Sequence, residues 1–121
     1  MMEILKDFPG NVLAIRADGR VTQKDYDDVL IPAANAAFAL HPKLRVYYET
    51  APEFSGFDAG AMWKDFMVGV SHWTGWERIA LVTDIDWIKH TANAFRFFIP
   101  CPVKLFAPDE SAQAREWVAQ P

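Results

Sequence analysis

The chain has 121 residues, of which 51% are hydrophobic and 14% aromatic, and its formal net charge is -4. This length and composition allow one buried core, so we expect residues 1–121 to form a single folded domain. The 12 Lys and Arg residues are scattered singly, and the overall acidity argues against a nucleic-acid partner. No apolar run approaches the roughly 20 residues of a membrane-spanning helix, and the charged N-terminus is unlike a signal peptide, which favours a cytoplasmic location.

Two antiparallel strands are predicted first, over residues 2–5 and 12–17, with a turn containing Pro, Gly and Asn between them. Thr22 is a favourable N-cap, and apolar residues at helical spacing predict a first helix that runs to about His41. The apolar stripe of this helix is Tyr26, Val29, Leu30, Ala33, Ala37 and Leu40. Because Pro32 lacks a backbone donor, we expect a bend there.

The middle of the chain predicts a strand, a loop and a second helix. Residues 44–49 are rich in β-formers, and the loop over residues 50–57 contains Pro, Gly and Ser. Asp58 can cap the helix that follows. The stripe of this helix is Ala59, Met62, Trp63, Phe66, Met67, Val70 and Trp73.

Residues 79–82 are continuously apolar, which is typical of a strand covered on both faces within a parallel or mixed sheet. Asp86 or a neighbour is predicted to cap a third helix. The stripe of the third helix is Trp87, Ile88, Thr91, Ala94, Phe95 and Phe98. A short strand over residues 103–106 follows, and Pro108 opens a fourth helix with an apolar edge. The order predicts an α/β fold with a mixed, mainly parallel five-stranded sheet, an antiparallel first strand at its edge and about four helices.

Five segments form a distinctive set: Gly19-Arg20-Val21-Thr22, Leu30-Ile31-Pro32, Phe54-Ser55-Gly56-Phe57-Asp58, Trp76-Glu77-Arg78-Ile79-Ala80 and Thr83-Asp84. Through them the chain resembles, over nearly its whole length, the SpoIIAA-like family of small bacterial proteins with a STAS-like fold. The resemblance implies a fold similar to that of anti-sigma factor antagonists, and apolar ligand binding by analogy with lipid-carrier domains. Those antagonists carry a phosphorylatable serine where this chain has Ala59, so Ser55 is the nearby candidate for phosphorylation.

The sequence contains no motif that compels an enzymatic reaction. Asp84, Asp86 and His90 follow the central strand at the edge where open α/β sheets bind ligands, so an enzyme using them in acid-base roles is an alternative. No His-x₃-His or His-Glu pair supplies metal ligands, and neither a metal nor a cofactor is predicted. Cys101 is the single cysteine, which excludes an internal disulfide and indicates a buried, inert thiol.

Large aromatic and Met side chains on the second and third helices exceed what one face of a five-stranded sheet requires. An exposed apolar cleft implies a ligand, a protein partner or a membrane surface. The leading hypothesis is a non-enzymatic binding or regulatory module that holds an apolar or amphipathic small molecule between these helices. The predicted contact residues are Phe54, Phe57, Met62, Trp63, Phe66, Met67 and Trp87. A homodimer or a protein partner on the same helices, and a phosphoregulated switch at Ser55, are the alternatives.

Overall fold

The computed structural model of the protein describes residues 1–120, except for the side chain of Phe66. The strands are β1 (Met2–Ile4), β2 (Val12–Ala17), β3 (Arg20–Val21), β4 (Leu44–Thr50), β5 (Gly56–Phe57), β6 (Trp76–Val82) and β7 (Val103–Phe106). One sheet has the order β1-β2-β4-β6-β7, in which β1 runs antiparallel to β2 and the other neighbours are parallel. The predicted mixed five-stranded sheet with an antiparallel edge strand is therefore confirmed.

The predicted arrangement of about four helices is confirmed as well. Helix α1 combines a turn at Gln23–Asp25, a π turn at Tyr26–Leu30 and an α-helical segment at Ile31–Leu40. The other helices are α2 (Ala59–Ser71), α3 (Asp86–Phe95, followed by a 3-10 turn at Arg96–Phe98) and α4 (Ser111–Ala119, preceded by a 3-10 turn at Pro108–Glu110). In the described part of the chain, no helix has the length and apolar character needed to cross a membrane.

Helix α1 begins as predicted after Thr22, which forms a capping box with Asp25. The Asp25 amide donates to the Thr22 hydroxyl at 3.3 Å, and the Thr22 amide donates to the Asp25 carboxylate at 2.8 Å. The interruption expected at Pro32 takes the form of a π turn, in which the Ile31 amide bonds to the Tyr26 carbonyl. This wider turn immediately precedes a proline that cannot donate a helical hydrogen bond.

The apolar stripe predicted for α1 lies against the core over most of its length. Tyr26 and Leu30 are buried as predicted, but Ala34 rather than Ala33 is buried in the next turn. Leu40, which was predicted to lie on the apolar stripe, is 80% exposed. That prediction was wrong for Leu40, the last residue of α1, whereas Ala33 and Ala37 pack against the core as predicted.

A small second sheet, not predicted from the sequence, ties the loop before α2 to the loop before α1. Strands β3 and β5 pair in parallel, with Val21 opposite Phe57. The Ser55 amide adds a hydrogen bond of 2.8 Å to the Gly19 carbonyl. Gly56 has a φ of 129°, a conformation that favours glycine, at the start of β5. The pairing holds Phe57 against the domain.

The helices cover the two faces of the main sheet unequally. Helices α1 and α2 lie on one face, and α4 lies on the other. The buried residues on the first face and its edges are Met2, Leu13, Ile15, Ala17, Val21, Tyr26, Leu30, Ala34, Leu44 and Ala61. The buried residues around α4 are Ala14, Tyr47, Ala80, Val82, Phe106, Ala114 and Val118. The apolar edge predicted for the fourth helix therefore lies in the core.

Candidate functional site

One face of the main sheet borders a cavity of about 810 Å³ that opens between α2 and α3. Ligand pockets in proteins have volumes of about 300–1,000 Å³, so a small molecule fits this space. The sheet lines the cavity with Leu13, Ile15, Val46, Ile79, Leu81 and Val103. The helices line it with Met62, Val68, Val70, Trp87, Ile88 and Phe95. The cavity lies between the two helices for which the sequence predicts a ligand, and binding there stays a prediction.

Strand β6 shows how differently its two faces are covered. Ala80 and Val82 lie on the face packed by α4 and are 0% and 1% exposed. Ile79 and Leu81 alternate with them, line the cavity and are only partly buried. Helix α3 buries Ile88 on this side but does not close it. The prediction that residues 79–82 are covered on both faces was therefore wrong for the face that borders the cavity.

Three of the predicted contact residues line this cavity: Phe57, Met62 and Trp87. The rings of Phe57 and Trp87 meet edge to face with centroids 6.2 Å apart, which joins β5 to the start of α3. Met62 and Trp87 are 56% and 48% exposed. Together the three side chains form an apolar wall at the end of the cavity next to the loop that carries β5.

Three other predicted contact residues lie elsewhere. Phe54 packs edge to face on Phe57, with ring centroids 5.1 Å apart, and contacts the core beneath α1. Trp63 and Met67 line a separate cleft of about 320 Å³ between α1 and α2. The side chain of Phe66 falls outside the described part of the structure. Of the described residues in the predicted set, three thus line the cavity, two line the cleft, and Phe54 lies in neither.

Helix α2 turns a different face to the core from the one predicted. Ala61 is fully buried, and Val68 packs against the same core. The larger residues of the predicted stripe are exposed instead: Met62, Trp63, Met67 and Val70. A β-carbon at Gly60 would lie 2.9 Å from the Cβ of Gln23, so α2 approaches the start of α1 too closely for large side chains. Because α2 ends at Ser71, Trp73 lies in the following turn and not on its stripe.

A polar cluster also borders the cavity. The Tyr26 hydroxyl donates a hydrogen bond of 2.8 Å to Oδ1 of Asp65, and the hydroxyls of Tyr26 and Tyr48 are 3.5 Å apart. All three residues line the cavity. Asp65 is exposed, and its accessible surface faces this cavity. Desolvation by the surrounding protein raises the pKa of the Asp65 carboxyl, and the hydrogen bond from Tyr26 opposes the shift.

The polar cluster was not predicted from the sequence, although α2 contains a signal for it. Asp65 is a carboxylate in the middle of a mostly apolar helix and lies one turn after the buried Ala61. Residues four apart share a helix face, so Asp65 must be directed toward the same side of α2 as Ala61. Burial also raises the pKa of the Tyr26 and Tyr48 hydroxyls, so both stay protonated at neutral pH.

The residues of the alternative enzymatic hypothesis do not assemble. Asp84 and His90 are exposed, and Asp86 has an 86% exposed side chain that pairs with Lys89 at 3.4 Å. No hydrogen bond or ion pair joins the three residues in the described part of the chain. The predicted cap by Asp86 was wrong: the Ile85 amide at the start of α3 donates to the Thr83 hydroxyl at 3.2 Å.

Among the described residues, the reactive side chains of Cys101 and Ser55 do not form a second candidate site. Cys101 is partly buried, and burial raises the pKa of its thiol to about 11, which keeps it protonated. Ser55 is exposed just before β5. Within the described residues, no group of three or more His, Cys, Asp or Glu side chains could hold a metal ion.

The comparisons with known proteins agree with this architecture. Residues 12–119 match the model of the SpoIIAA-like family. No curated protein matches the chain. The fold is similar to the crystal structure of an uncharacterized protein from the DUF3478 family with a SpoIIAA-like fold from Shewanella loihica PV-4. The TM-score is 0.77 at 22% identity, over 98% of this chain and 92% of that chain, so this likeness supports the fold alone.

Proposed function

The chain belongs to the SpoIIAA-like family, and we propose that it is a non-enzymatic binding module that holds an apolar or amphipathic small molecule in the cavity between α2 and α3. We further propose that residues 1–121 act as one cytoplasmic domain. The fold itself suggests a small regulatory or interaction module. The observation that supports a ligand is the cavity of about 810 Å³, which has apolar walls contributed by both helices and by the sheet.

The apolar walls set the expected strength of binding. Burying about 200 Å² of ligand surface contributes roughly 5 kcal/mol at about 25 cal/mol per Å². Loss of translational and rotational freedom offsets a large part of this gain. A gain of about 5 kcal/mol without any offset corresponds to a dissociation constant of roughly 0.2 mM, so we expect about that value or weaker for a simple apolar ligand.

Intrinsic fluorescence provides the test, because Trp73, Trp76 and Trp87 line the cavity. Decanol is titrated into the wild-type protein below the concentration at which decanol separates from solution. Two variants on the same helix form a matched pair: Met62→Ala removes a side chain from the cavity wall, and Met67→Ala removes one from the separate cleft. We expect Met62→Ala to weaken binding about fivefold, because the ligand then buries less apolar surface against the wall, and Met67→Ala to leave binding unchanged.

Either of two results contradicts this function. The first is a wild-type protein whose fluorescence does not respond to decanol, to a hydrophobic dye or to a fatty acid. The second is equal binding by wild type and Met62→Ala when both are folded by circular dichroism. If Met67→Ala alone weakens binding, the ligand lies in the cleft between α1 and α2 instead.

A contact with a protein partner or a second copy of the chain is the second candidate function. It is supported by four exposed aromatic residues on α3 and the turn after it: Trp87, Phe95, Phe97 and Phe98. Such a patch favours association. Sedimentation at increasing concentration tests self-association, and a monomer throughout would remove the homodimer. Phosphorylation of the exposed Ser55 stays a prediction, and mass spectrometry of protein isolated from cells tests it.

A further inference from the structure

The hydroxyl groups in the cavity are oriented by Asp65. The 2.8 Å hydrogen bond runs from the Tyr26 hydroxyl to Oδ1 of Asp65 and therefore uses the single Tyr26 hydroxyl proton. The 3.5 Å contact between Tyr26 and Tyr48 must then be donated by Tyr48. Both protons point along the chain of hydroxyls toward Asp65. Oxygen lone pairs, on Tyr48 and on Oδ2 of Asp65, are left without a donor among the described residues.

No positive side chain balances this group. Neither Lys, Arg nor His occurs among the described residues that line the cavity. Lys64 is adjacent to Asp65 in sequence, but its ammonium group pairs with Asp27 at 3.2 Å. The cavity therefore combines apolar walls with one acidic group and an excess of hydrogen-bond acceptors.

We propose that the cavity binds an amphipathic amine, whose primary ammonium head donates to Asp65 and Tyr48 and whose apolar body lies between α2 and α3. An ammonium group carries three donors and no acceptor, which matches a site that offers acceptors and a negative charge. The inference rests on the proposed ligand-binding function and adds the chemical class of the ligand.

Other head groups fit this site less well. A carboxylate head would bring only acceptors and a second negative charge beside Asp65. A hydroxyl head supplies one donor but no charge. Desolvation raises the pKa of the Asp65 carboxyl, and a cation bound beside it would restore the ionised form. The charge of the site and the direction of its hydrogen bonds thus both favour an amine ligand.

Decylamine, decanol and decanoate test the head group, because they share a ten-carbon chain. Their dissociation constants are measured at pH 7 by tryptophan fluorescence and by calorimetry, below the concentrations at which they self-associate. We expect decylamine to bind at least about tenfold more tightly than decanol, since a charge-assisted hydrogen bond is stronger than a neutral one, and decanoate to bind most weakly.

Substitution of the carboxylate gives the matched comparison. Asp65→Asn keeps the size and the acceptor for Tyr26 but removes the charge, so decylamine should lose about tenfold in affinity while decanol changes by less than about twofold. Asp28→Asn removes an exposed carboxylate of α1 that pairs with Lys24, leaves the Lys64–Asp27 pair in place and should leave both affinities unchanged. Tyr48→Phe, which removes one acceptor, should weaken decylamine binding and serves as the second variant if Asp65→Asn does not fold.

The outcomes separate the two proposals. If decanol binds and Met62→Ala weakens it, but decylamine is not preferred, the amine assignment is overturned and the apolar site stands. Equal loss of decylamine affinity in Asp28→Asn and Asp65→Asn would also overturn it, because the effect would then be general charge attraction. If none of the three compounds binds, both proposals fail.

Discussion

The Tyr26 hydroxyl donates a hydrogen bond of 2.8 Å to Asp65, and this contact joins the π turn of α1 to the middle of α2. Tyr26 is 0% exposed, so its hydroxyl group has exchanged water for this partner. A buried hydroxyl bonded to a carboxylate fixes the relative position of two helices. It also places the acidic group at the wall of the cavity, so stability and ligand binding depend on the same pair.

Removal of the Tyr26 hydroxyl should therefore destabilise the fold. We expect Tyr26→Phe to lower the free energy of unfolding by about 1–3 kcal/mol, because a fully buried tyrosine loses its 2.8 Å hydrogen bond to a carboxyl group. Urea denaturation followed by circular dichroism measures the change. Tyr48→Phe is the control and should cost less, because its 3.5 Å contact is weak. Equal losses of unfolding free energy in the two variants would show that the Tyr26–Asp65 hydrogen bond stabilises the fold no more than the Tyr26–Tyr48 contact does.

The raised pKa of Asp65 predicts a pH-dependent stability. A carboxyl whose pKa is higher in the folded state binds more protons there than in the unfolded chain, so the folded state loses stability as pH rises from about 4 through the raised pKa. Tyr26 and Tyr48 face Asp65, but their raised pKa values place their titration above pH 10.

The difference in unfolding free energy between Asp65→Asn and wild type isolates this effect, because the other groups titrate equally in both. We expect the difference to shift in favour of Asp65→Asn as pH increases from 4 to 8. The pH dependence of stability that Glu77 contributes has the opposite sign, because the hydrogen bond from Arg45 lowers the pKa of its carboxyl. The stabilisation by Glu77 is lost only as pH falls below about 4.5. A difference that does not change with pH would show that Asp65 titrates normally.

The sequence predicted the sheet and the helices, but not which side chains line the cavity between α2 and α3. Strand and helix periods, together with Thr22 and Asp58 as caps, determine the element order locally. The orientation of α2 is instead set by tertiary contact. The small side chain of Ala61 lets α2 pack closely against the core, whereas the large side chain of Trp63 would not and is exposed. The pairing of Asp65 with Tyr26 spans 39 residues, and no local pattern predicts a contact at that separation.

The end of α4 is held by arginines from two neighbouring strands. Nη1 of Arg45 donates to the Val118 carbonyl at 2.9 Å and also to the Gln120 carbonyl, and Nη1 of Arg78 donates to the Trp117 carbonyl at 2.9 Å. These carbonyls are the ones that a helix C-terminus leaves without partners. We expect Arg45→Ala to cost about 1–3 kcal/mol, because Arg45 is only 8% exposed, the Val118 carbonyl loses its donor and Glu77 loses its partner.

Hydrogen exchange of the α4 amides locates this effect. Arg45→Ala should accelerate exchange in α4 more than in α1, since the hydrogen bonds that it removes anchor the C-terminal helix. Arg78→Ala is the control and should have a smaller effect, because Arg78 is less buried than Arg45. Uniform acceleration throughout the protein would show that Arg45 supports the whole sheet and not α4 in particular.

The substitution Gly→Ala should change the free energy of unfolding in opposite directions at two glycines of α2. Alanine is the better helix former by about 1 kcal/mol, so Gly→Ala stabilises an interior helical position that has space for a methyl group. A β-carbon at Gly69 would meet nothing within 4 Å, and Gly69→Ala should raise the free energy of unfolding by about 0.5–1 kcal/mol.

At Gly60 the same change should destabilise. The added carbon would lie 2.5 Å from Oε1 and 2.9 Å from Cβ of Gln23. The oxygen can move with its side chain, but the Cβ is fixed to the backbone of α1, so the two helices must separate. We expect Gly60→Ala to cost about 1–3 kcal/mol despite its better helix propensity. Gln23→Ala would not relieve it, because alanine keeps the Cβ, whereas Gln23→Gly would recover part of the loss. Denaturation of the single and double variants measures these changes in the free energy of unfolding. A Gly60→Ala protein as stable as Gly69→Ala would show that α2 does not approach α1 this closely.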